Sequence, residues 1–115
     1  DGGTVTMDGI GSDIADPNVR ETAYSGTPLA AMKSFLSEGL APLAPRYPSI
    51  KMPMLLYTSV QDHVVQPSDS DAVAATYGGP VERVMLERSY HVATQDYDKD
   101  IIFAGAVAFV NRVTA

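Results

Sequence analysis

The chain has no cysteine, and only two of its 115 residues are histidine. Without cysteine the sequence can form no disulfide framework, no thiol nucleophile and no zinc–thiolate site. This absence is typical of a cytoplasmic protein, which is the location that we expect. Because histidine is so scarce, the position of each of the two needs an explanation.

Basic residues are also scarce, with eight Lys and Arg against fourteen Asp and Glu and a net charge of −6. Nucleic acids and anionic membrane surfaces bind clustered Lys and Arg, so we expect neither as a partner. No apolar run approaches the roughly 18 residues that cross a bilayer, and we expect no membrane span. The chain begins at Asp1 without a methionine, and we expect it to be part of something longer.

The composition changes near residue 50, and this divides the chain into two segments. Residues 1–50 are rich in Gly, Pro, Ser and Thr. Asp16-Pro17 and Thr27-Pro28 are helix-start signals, which predict helices over 16–24 and 29–38. Three prolines predict an irregular stretch over 40–48. The apolar face of residues 29–36 fits either a lid over a substrate or a face packed on the core.

Residues 51–115 have a more regular pattern. A nearly continuous apolar run predicts a strand buried on both faces over 54–60, and the apolar residues Val81, Val84, Met85 and Leu86 predict a second strand over 81–87. Helices are predicted over 68–77 and 98–112. The order strand, helix, strand, helix predicts the α/β class with a parallel sheet. Because a parallel sheet usually has more than two strands and is covered on both faces, we expect this one to be part of a larger sheet.

The two loops that follow the predicted strands carry the residues of greatest chemical interest. Asp62 follows the first strand and His91 the second, and the carboxyl ends of neighbouring parallel strands share one edge of a sheet. An aspartate that accepts the Nδ1 hydrogen of a histidine leaves Nε2 as a general base for acyl transfer. The alternatives are that Asp62 is a turn residue and His91 a structural loop histidine. His63 is expected to face solvent.

The stretches Asp62-His-Val-Val-Gln-Pro67 and Ser89-Tyr-His91-Val-Ala-Thr-Gln-Asp96 resemble the end of a serine α/β-hydrolase. The resemblance is to the bacterial carboxylesterase and monoacylglycerol lipase group, over residues 50–113 and more weakly over 10–48. It implies the C-terminal portion of the α/β-hydrolase fold, with a cap over 1–50 and core over 51–115. It implies Asp62 as triad acid, His91 as triad base, an acyl ester substrate such as a monoacylglycerol, and no cofactor or metal.

The sequence departs from the group at the nucleophile. The group places its serine in Gly-x-Ser-x-Gly at a strand-to-helix elbow. This chain has no such pentapeptide, and the segments around Ser12 and Ser25 are the nearest approaches. We therefore expect the serine and the oxyanion hole to lie on an N-terminal half of the same hydrolase, docked as a partner. The chain alone is expected to be inactive.

Two smaller predictions concern the flanks of these loops. Val64 and Val92 adjoin Asp62 and His91 and are predicted to line an acyl pocket. Asp96, Asp98 and Asp100 resemble the start of a calcium loop, but Ile101 and Val107 stand where such a loop needs Gly and Glu. We expect these acids to complement the dipole of the final helix instead.

Two alternatives to ester hydrolysis follow from the same pattern. The first is another α/β-hydrolase chemistry, in which a dehalogenase would have aspartate at the elbow and a perhydrolase would keep serine. The second is a non-catalytic binding module that associates through its sheet edge. The residue at the missing elbow distinguishes the enzymes, and a stable homo-oligomer without esterase activity indicates the binding module.

Overall fold

The computed structural model describes residues 4–115. Strands and α-helices are joined there by short 3₁₀ and π-helical turns. In chain order the elements are β1 (Thr6–Asp8), β2 (Gly26–Pro28), α1 (Leu29–Ser34), β3 (Met54–Ser59), α2 (Pro67–Thr76), β4 (Val81–Leu86) and α3 (Lys99–Val113).

β3 and β4 form the predicted parallel pair, each one residue shorter than expected. Met54 lies beside Val81 and Ser59 beside Leu86, so both strands end at the same edge of the sheet. The chain can return from α2 to β4 because Gly78, Gly79 and Pro80 end the helix. The predicted α/β class and the parallel β–α–β–α order are confirmed.

α3 lies against the sheet at a glycine. The Tyr57 hydroxyl on β3 donates a hydrogen bond to the Ile102 carbonyl, with an oxygen–oxygen distance of 3.2 Å. A Cβ at Gly105 would overlap the Tyr57 hydroxyl, so glycine permits this close approach. On the exposed side of the same helix lie Phe103, Val107 and Val110, at a spacing that places them on one face.

The N-terminal segment differs most from its prediction. Residues 16–24 form no helix, because the Asp16 carboxylate accepts hydrogen bonds from the backbone and side-chain N–H groups of Asn18 and closes a turn instead. β1 and β2 form an antiparallel ribbon, with Met7 beside Thr27, that the sequence analysis did not predict. Each of these strands has three residues, too few to give a periodic signal.

The helix predicted over 29–38 exists and runs further. α1 continues as a π-helical segment (Phe35–Leu40), and a 3₁₀ helix (Ala44–Ser49) occupies the end of the stretch predicted to be irregular. Pro45 lies in the first turn of the 3₁₀ helix, where no backbone N–H is needed, which explains how the stretch can be helical. Across the described residues, none of the helices is both long enough and apolar enough to cross a membrane.

The apolar core of the described residues is small. Among residues 4–115, Leu86 is the one apolar side chain that is buried, with 1% of its surface exposed. Within the same range the parallel sheet has two strands, so each strand has one unpaired edge. The division into a cap over 1–50 and core over 51–115 stays a prediction, and residues 1–3 of that cap lie outside the described range.

Candidate active site

Asp62 lies in the turn that follows β3. Its Oδ1 accepts hydrogen bonds from the backbone N–H groups of Val64 and Val65, both at 2.8 Å. These bonds fix the carboxylate and leave Oδ2 free to contact His91. Burial of Asp62 raises its pKa, but the hydrogen bonds from Val65, the His91 ring and Val64 outweigh burial, so its pKa is below the usual value. Asp62 is therefore ionised at neutral pH, and it also organises its own turn.

His91 lies on the loop after β4, and its ring meets Asp62. The distance from His91 Nδ1 to Asp62 Oδ2 is 3.0 Å. The Asp62 side chain is 15% exposed and the His91 side chain 36%, so the pair is open to a reactant on the histidine side. A hydrogen on Nδ1 that is donated to the carboxylate leaves Nε2 as a base. This geometry fits an acid–base pair, and the catalytic role of both residues stays a prediction.

Ser89 and Asp98 shape the start of the His91 loop. Ser89 is fully buried, and its hydroxyl oxygen accepts the Asp98 backbone N–H at 2.8 Å. The Asp98 carboxylate in turn accepts the backbone N–H groups of Arg88 and Ser89 at 2.9 and 3.0 Å. This reciprocal set of bonds ties the end of β4 to the start of α3.

Asp96 connects the same loop to the N-terminal segment. Asp96 is buried, with 2% of the surface of the whole residue exposed. The carboxylate accepts four backbone N–H groups, those of Ala15, Asp16, Tyr90 and Tyr97, at 2.7 to 3.1 Å. Burial raises the pKa of Asp96, but these four bonds outweigh burial and hold the pKa below its usual value.

The prediction that these acids complement the helix dipole stays a prediction for Asp96 and Asp98, and Asp98 occupies the N-cap position of α3. Their carboxylates also accept hydrogen bonds from backbone N–H groups at the start of the His91 loop. Asp100, in the first turn of α3, fits the prediction. In the part of the chain that the structure describes, no group of three or more His, Cys, Asp or Glu is arranged to hold a metal ion.

His63 is not simply solvent-facing, although its side chain is 59% exposed. Its Nδ1 lies 2.8 Å from Asp13 Oδ1, and its ring meets the Tyr90 ring edge-on with centroids 4.5 Å apart. This exposure agrees with the prediction that His63 faces solvent, and the contact with Asp13, 50 residues away in sequence, was not predicted. Asp13 also accepts the backbone N–H of His91 at 3.0 Å.

Two cavities meet at His91. The first, of about 370 Å³, lies at the end of the sheet and includes Ser59, Asp62 and Leu86 in its lining. The second, of about 540 Å³, lies under the N-terminal segment, and its apolar lining includes Val64. Val92 lines neither of these two cavities, and its backbone N–H donates to the Asp13 carbonyl at 3.1 Å. The acyl-pocket role predicted for Val64 and Val92 stays a prediction.

Neither serine that came nearest to an elbow motif is placed as a nucleophile. Ser12 lies in irregular backbone, and Ser25 lies just before the short strand β2. In the described residues the two loops that join a parallel strand to a helix carry Asp62 and His91, and neither carries an elbow serine.

Asp13 is the residue near this site that sequence analysis missed, and Asp96 was assigned a different role. The contacts that connect them across the two segments of the chain join residues 50 to 81 positions apart. Asp13 follows Gly11-Ser12 in a segment without periodicity, so no local pattern indicates its partners. One indirect signal could have indicated their roles, because an acidic side chain that caps no helix often accepts hydrogen bonds from the backbone N–H groups of loops.

Comparison with known proteins gives a consistent result. No family model matches the chain. Over 104 residues it is 36% identical to a thermostable monoacylglycerol lipase of Bacillus sp. strain H-257, which covers 90% of this chain and 41% of that protein. A solved structure from work on LipS and LipT, two metagenome-derived lipolytic enzymes, superposes with a TM-score of 0.86 at 39% identity and covers 93% of this chain and 44% of that one.

The chain thus spans less than half the length of the proteins that it matches. Its two parallel strands and flanking helices agree with the fold of the lipolytic neighbour. The predicted resemblance is confirmed: the chain has the fold of part of an α/β-hydrolase and is similar in sequence to the lipase and esterase group.

Proposed function

We propose that the chain supplies the aspartate and histidine of a Ser-His-Asp triad in a carboxylic ester hydrolase. The observation that carries the proposal is the 3.0 Å contact between His91 Nδ1 and Asp62 Oδ2. It lies at the carboxyl ends of two adjacent parallel strands, where open α/β sheets bind ligands. The serine belongs to a part of the hydrolase outside these 115 residues.

Each residue has a defined task in this reaction. His91 Nε2 removes the serine proton while the serine oxygen attacks the ester carbonyl carbon, and it then returns the proton to the leaving alcohol. In the second half, His91 activates the water that hydrolyses the acyl-enzyme. Asp62 keeps the hydrogen on Nδ1 and stabilises the imidazolium that forms twice in the cycle. The ionised state of Asp62 at neutral pH suits this task.

The surfaces of the chain support a covering partner that brings the serine. Both parallel strands have an unpaired edge within the described residues, and α3 exposes Phe103, Val107 and Val110 on one face. Apolar faces of this kind are covered in α/β folds, because parallel sheets are buried on both sides. We assign this cover to the N-terminal half of the hydrolase, and we expect the 115 residues alone to be inactive.

The substrate class follows from the relative and from the second cavity. The Bacillus protein is a monoacylglycerol lipase, and the cavity of about 540 Å³ beside His91 has apolar side chains such as Met7, Ile10 and Met32 in its lining. We therefore propose acyl esters of small to medium chain length, monoacylglycerols among them. The reaction needs no metal or organic cofactor.

Hydrolysis of p-nitrophenyl acyl esters and of a monoacylglycerol by the full-length protein tests this proposal. We expect turnover of both substrates, and we expect the His91→Ala variant to lose it. The control is Asp69→Asn, an exposed position in the first turn of α2, which should keep the wild-type rate. Turnover of haloalkanes in place of esters would support the dehalogenase alternative, and ester-dependent peroxyacid formation the perhydrolase. A stable oligomer without any turnover would support the binding module.

A further inference from the structure

We propose that Asp13 is a positioning residue that holds the Asp62 loop and the His91 loop at a fixed separation. The effect of this positioning on catalysis rests on the proposed function of the chain as part of an ester hydrolase. The residue comes from the N-terminal segment and joins two loops that belong to the sheet.

One carboxylate oxygen of Asp13 contacts both loops. Asp13 Oδ2 accepts the backbone N–H of His91 at 3.0 Å and the backbone N–H of His63, next to Asp62, at 3.2 Å. The Asp13 carbonyl also accepts the N–H of Val92 at 3.1 Å. Because His63 and His91 share one acceptor atom, their backbones cannot separate without the loss of a hydrogen bond.

The second oxygen of Asp13 keeps the carboxylate in this orientation. Asp13 Oδ1 lies 2.8 Å from His63 Nδ1, and the His63 ring contacts Tyr90 edge-on. Tyr90 precedes His91 in the loop after β4. The His63 side chain, from the loop after β3, therefore contacts the His91 loop directly. Hydrogen bonds from His63 and His91 to Asp13 and the ring contact between His63 and Tyr90 thus connect the two loops in two ways.

The segment that carries Asp13 is itself anchored nearby. The N–H groups of Ala15 and Asp16, two and three residues further on, bind the buried Asp96 carboxylate at 2.7 and 3.1 Å. Asp13 is therefore held by a fixed backbone, and a fixed backbone is what a positioning residue requires.

The charge of Asp13 makes these bonds strong. Its side chain is 16% exposed, and hydrogen bonds to a carboxylate are stronger than those to a neutral acceptor. Burial raises the pKa of Asp13, but the bonds from His91 and His63 outweigh burial and lower it. An asparagine at this position keeps one acceptor oxygen and the shape, so it should retain part of the function, whereas alanine removes every side-chain bond.

The test compares Asp13→Ala, Asp13→Asn and the control Asp69→Ala, at an exposed position in the first turn of α2, in the full-length protein. Two-bond ¹H–¹⁵N spectra, recorded where the His91 ring signals no longer change with rising pH, report which ring nitrogen of His91 carries the hydrogen. We expect one tautomer, with the hydrogen on Nδ1, in the wild type and in Asp69→Ala. We expect a mixture of tautomers in Asp13→Ala and an intermediate result in Asp13→Asn.

Ester hydrolysis gives the second readout. Because a small displacement of a catalytic base lowers the rate of chemistry, kcat should fall about 10- to 100-fold in Asp13→Ala with KM nearly unchanged, and less in Asp13→Asn. A wild-type tautomer together with wild-type kcat in Asp13→Ala would overturn the proposal. If Asp13→Ala does not fold, Asp13→Asn decides, and wild-type values there overturn it.

The two proposals fail separately in this experiment. If the wild-type protein hydrolyses no ester, the proposed function falls, while the tautomer spectra still decide whether Asp13 positions His91. If the wild type is active and neither readout responds to Asp13, the positioning role falls and the hydrolase stands.

Discussion

The polar groups behind the Asp62 and His91 loops are satisfied within the chain, whereas the apolar side chains of the sheet and helices are not. In the part of the chain that the structure describes, every buried side-chain nitrogen and oxygen has a hydrogen-bond partner. In the same range Leu86 is the one buried apolar side chain, and residues such as Phe35, Phe103 and Val107 are more than half exposed. The buried polar side chains of the described residues are therefore satisfied, whereas most of the apolar side chains there are not buried.

This difference indicates what sets the geometry of the pair. Three carboxylates, those of Asp13, Asp62 and Asp96, together accept eight backbone N–H groups around the two loops. Such bonds are directional, so they can fix an angle and a distance, whereas apolar burial is not directional. The hydrogen bonds of the chain itself therefore hold the Asp62 and His91 loops, whereas most apolar side chains of the described residues are not buried.

The largest expected effect separates chemistry from folding. In the full-length protein, Asp62→Asn should lower kcat for ester hydrolysis about 10⁴-fold, because the amide no longer stabilises the imidazolium or selects its tautomer. Steady-state kinetics measures the loss, and Asp69→Asn is the matched control. Activity within a few-fold of wild type would show that Asp62 serves only its turn.

Acid should weaken the polar network as a whole. The folded-state pKa values of Asp13, Asp62 and Asp96 are lowered, so below about pH 4 the unfolded chain binds protons that the folded protein does not. Their contribution to the free energy of unfolding is therefore full above that range and is lost as the pH falls through the lowered pKa values. Urea unfolding at a series of pH values measures this. A free energy of unfolding that did not fall between about pH 5 and pH 3 would contradict the network's role.

A single member of the network should also matter strongly. Asp96→Asn should lower the free energy of unfolding at neutral pH by about 2 to 4 kcal/mol, because the amide presents an NH₂ group where buried backbone donors need an acceptor. Thermal or urea denaturation measures the change. Asp100→Asn, on the exposed first turn of α3, is the control and should change stability little. Equal effects of the two variants would remove the distinction between buried and exposed acids.

The contact between Gly105 of α3 and Tyr57 of the sheet tests how closely the helix packs on the sheet. Gly105→Ala should lower the free energy of unfolding by about 1 to 3 kcal/mol, because the added methyl group overlaps the Tyr57 hydroxyl. Tyr57→Phe removes that oxygen, so the double variant should lose less than the sum of the single variants. If urea or thermal denaturation showed that the losses of the two single variants add up in the double variant, the methyl group at position 105 would not overlap the Tyr57 hydroxyl.

The smallest effect is expected at the surface ion pair that joins α3 to β4. Arg112 binds both carboxylate oxygens of Glu82, at 2.6 and 2.7 Å, but both side chains are 54% exposed. Arg112→Ala should therefore change the free energy of unfolding by less than about 1 kcal/mol, and less still at high salt. A loss as large as that of Asp96→Asn would mean that burial does not separate these interactions.

The sequence predicted the parts of the fold that depend on neighbouring residues. β3 carries a nearly continuous run of apolar and β-forming residues, β4 has four apolar residues among its six, and the glycines and proline at 78–80 mark the return between them. The approach of Asp62 to His91 was predictable for the same reason, since adjacent parallel strands end at one edge.

The N-terminal segment could not be predicted in the same way. Asp16-Pro17 gives the local signal of a helix start, yet the Asp16 carboxylate closes a turn and the Asp16 N–H binds Asp96, 80 residues away. Asp13 binds His63 and His91 at separations of 50 and 78 residues. Contacts of this range depend on how the whole chain folds, and neither periodicity nor capping signals contain them.

Fluorophosphonate labelling of the full-length protein tests the central claim most directly. The probe reacts with a serine that a histidine base has activated, and peptide mapping locates the adduct. We predict an adduct on a serine outside these 115 residues, and much slower labelling in His91→Ala than in wild type or Asp69→Asn. An adduct on Ser12 or Ser25, or labelling that does not depend on His91, would contradict the assignment of Asp62 and His91 as the acid and base of the triad.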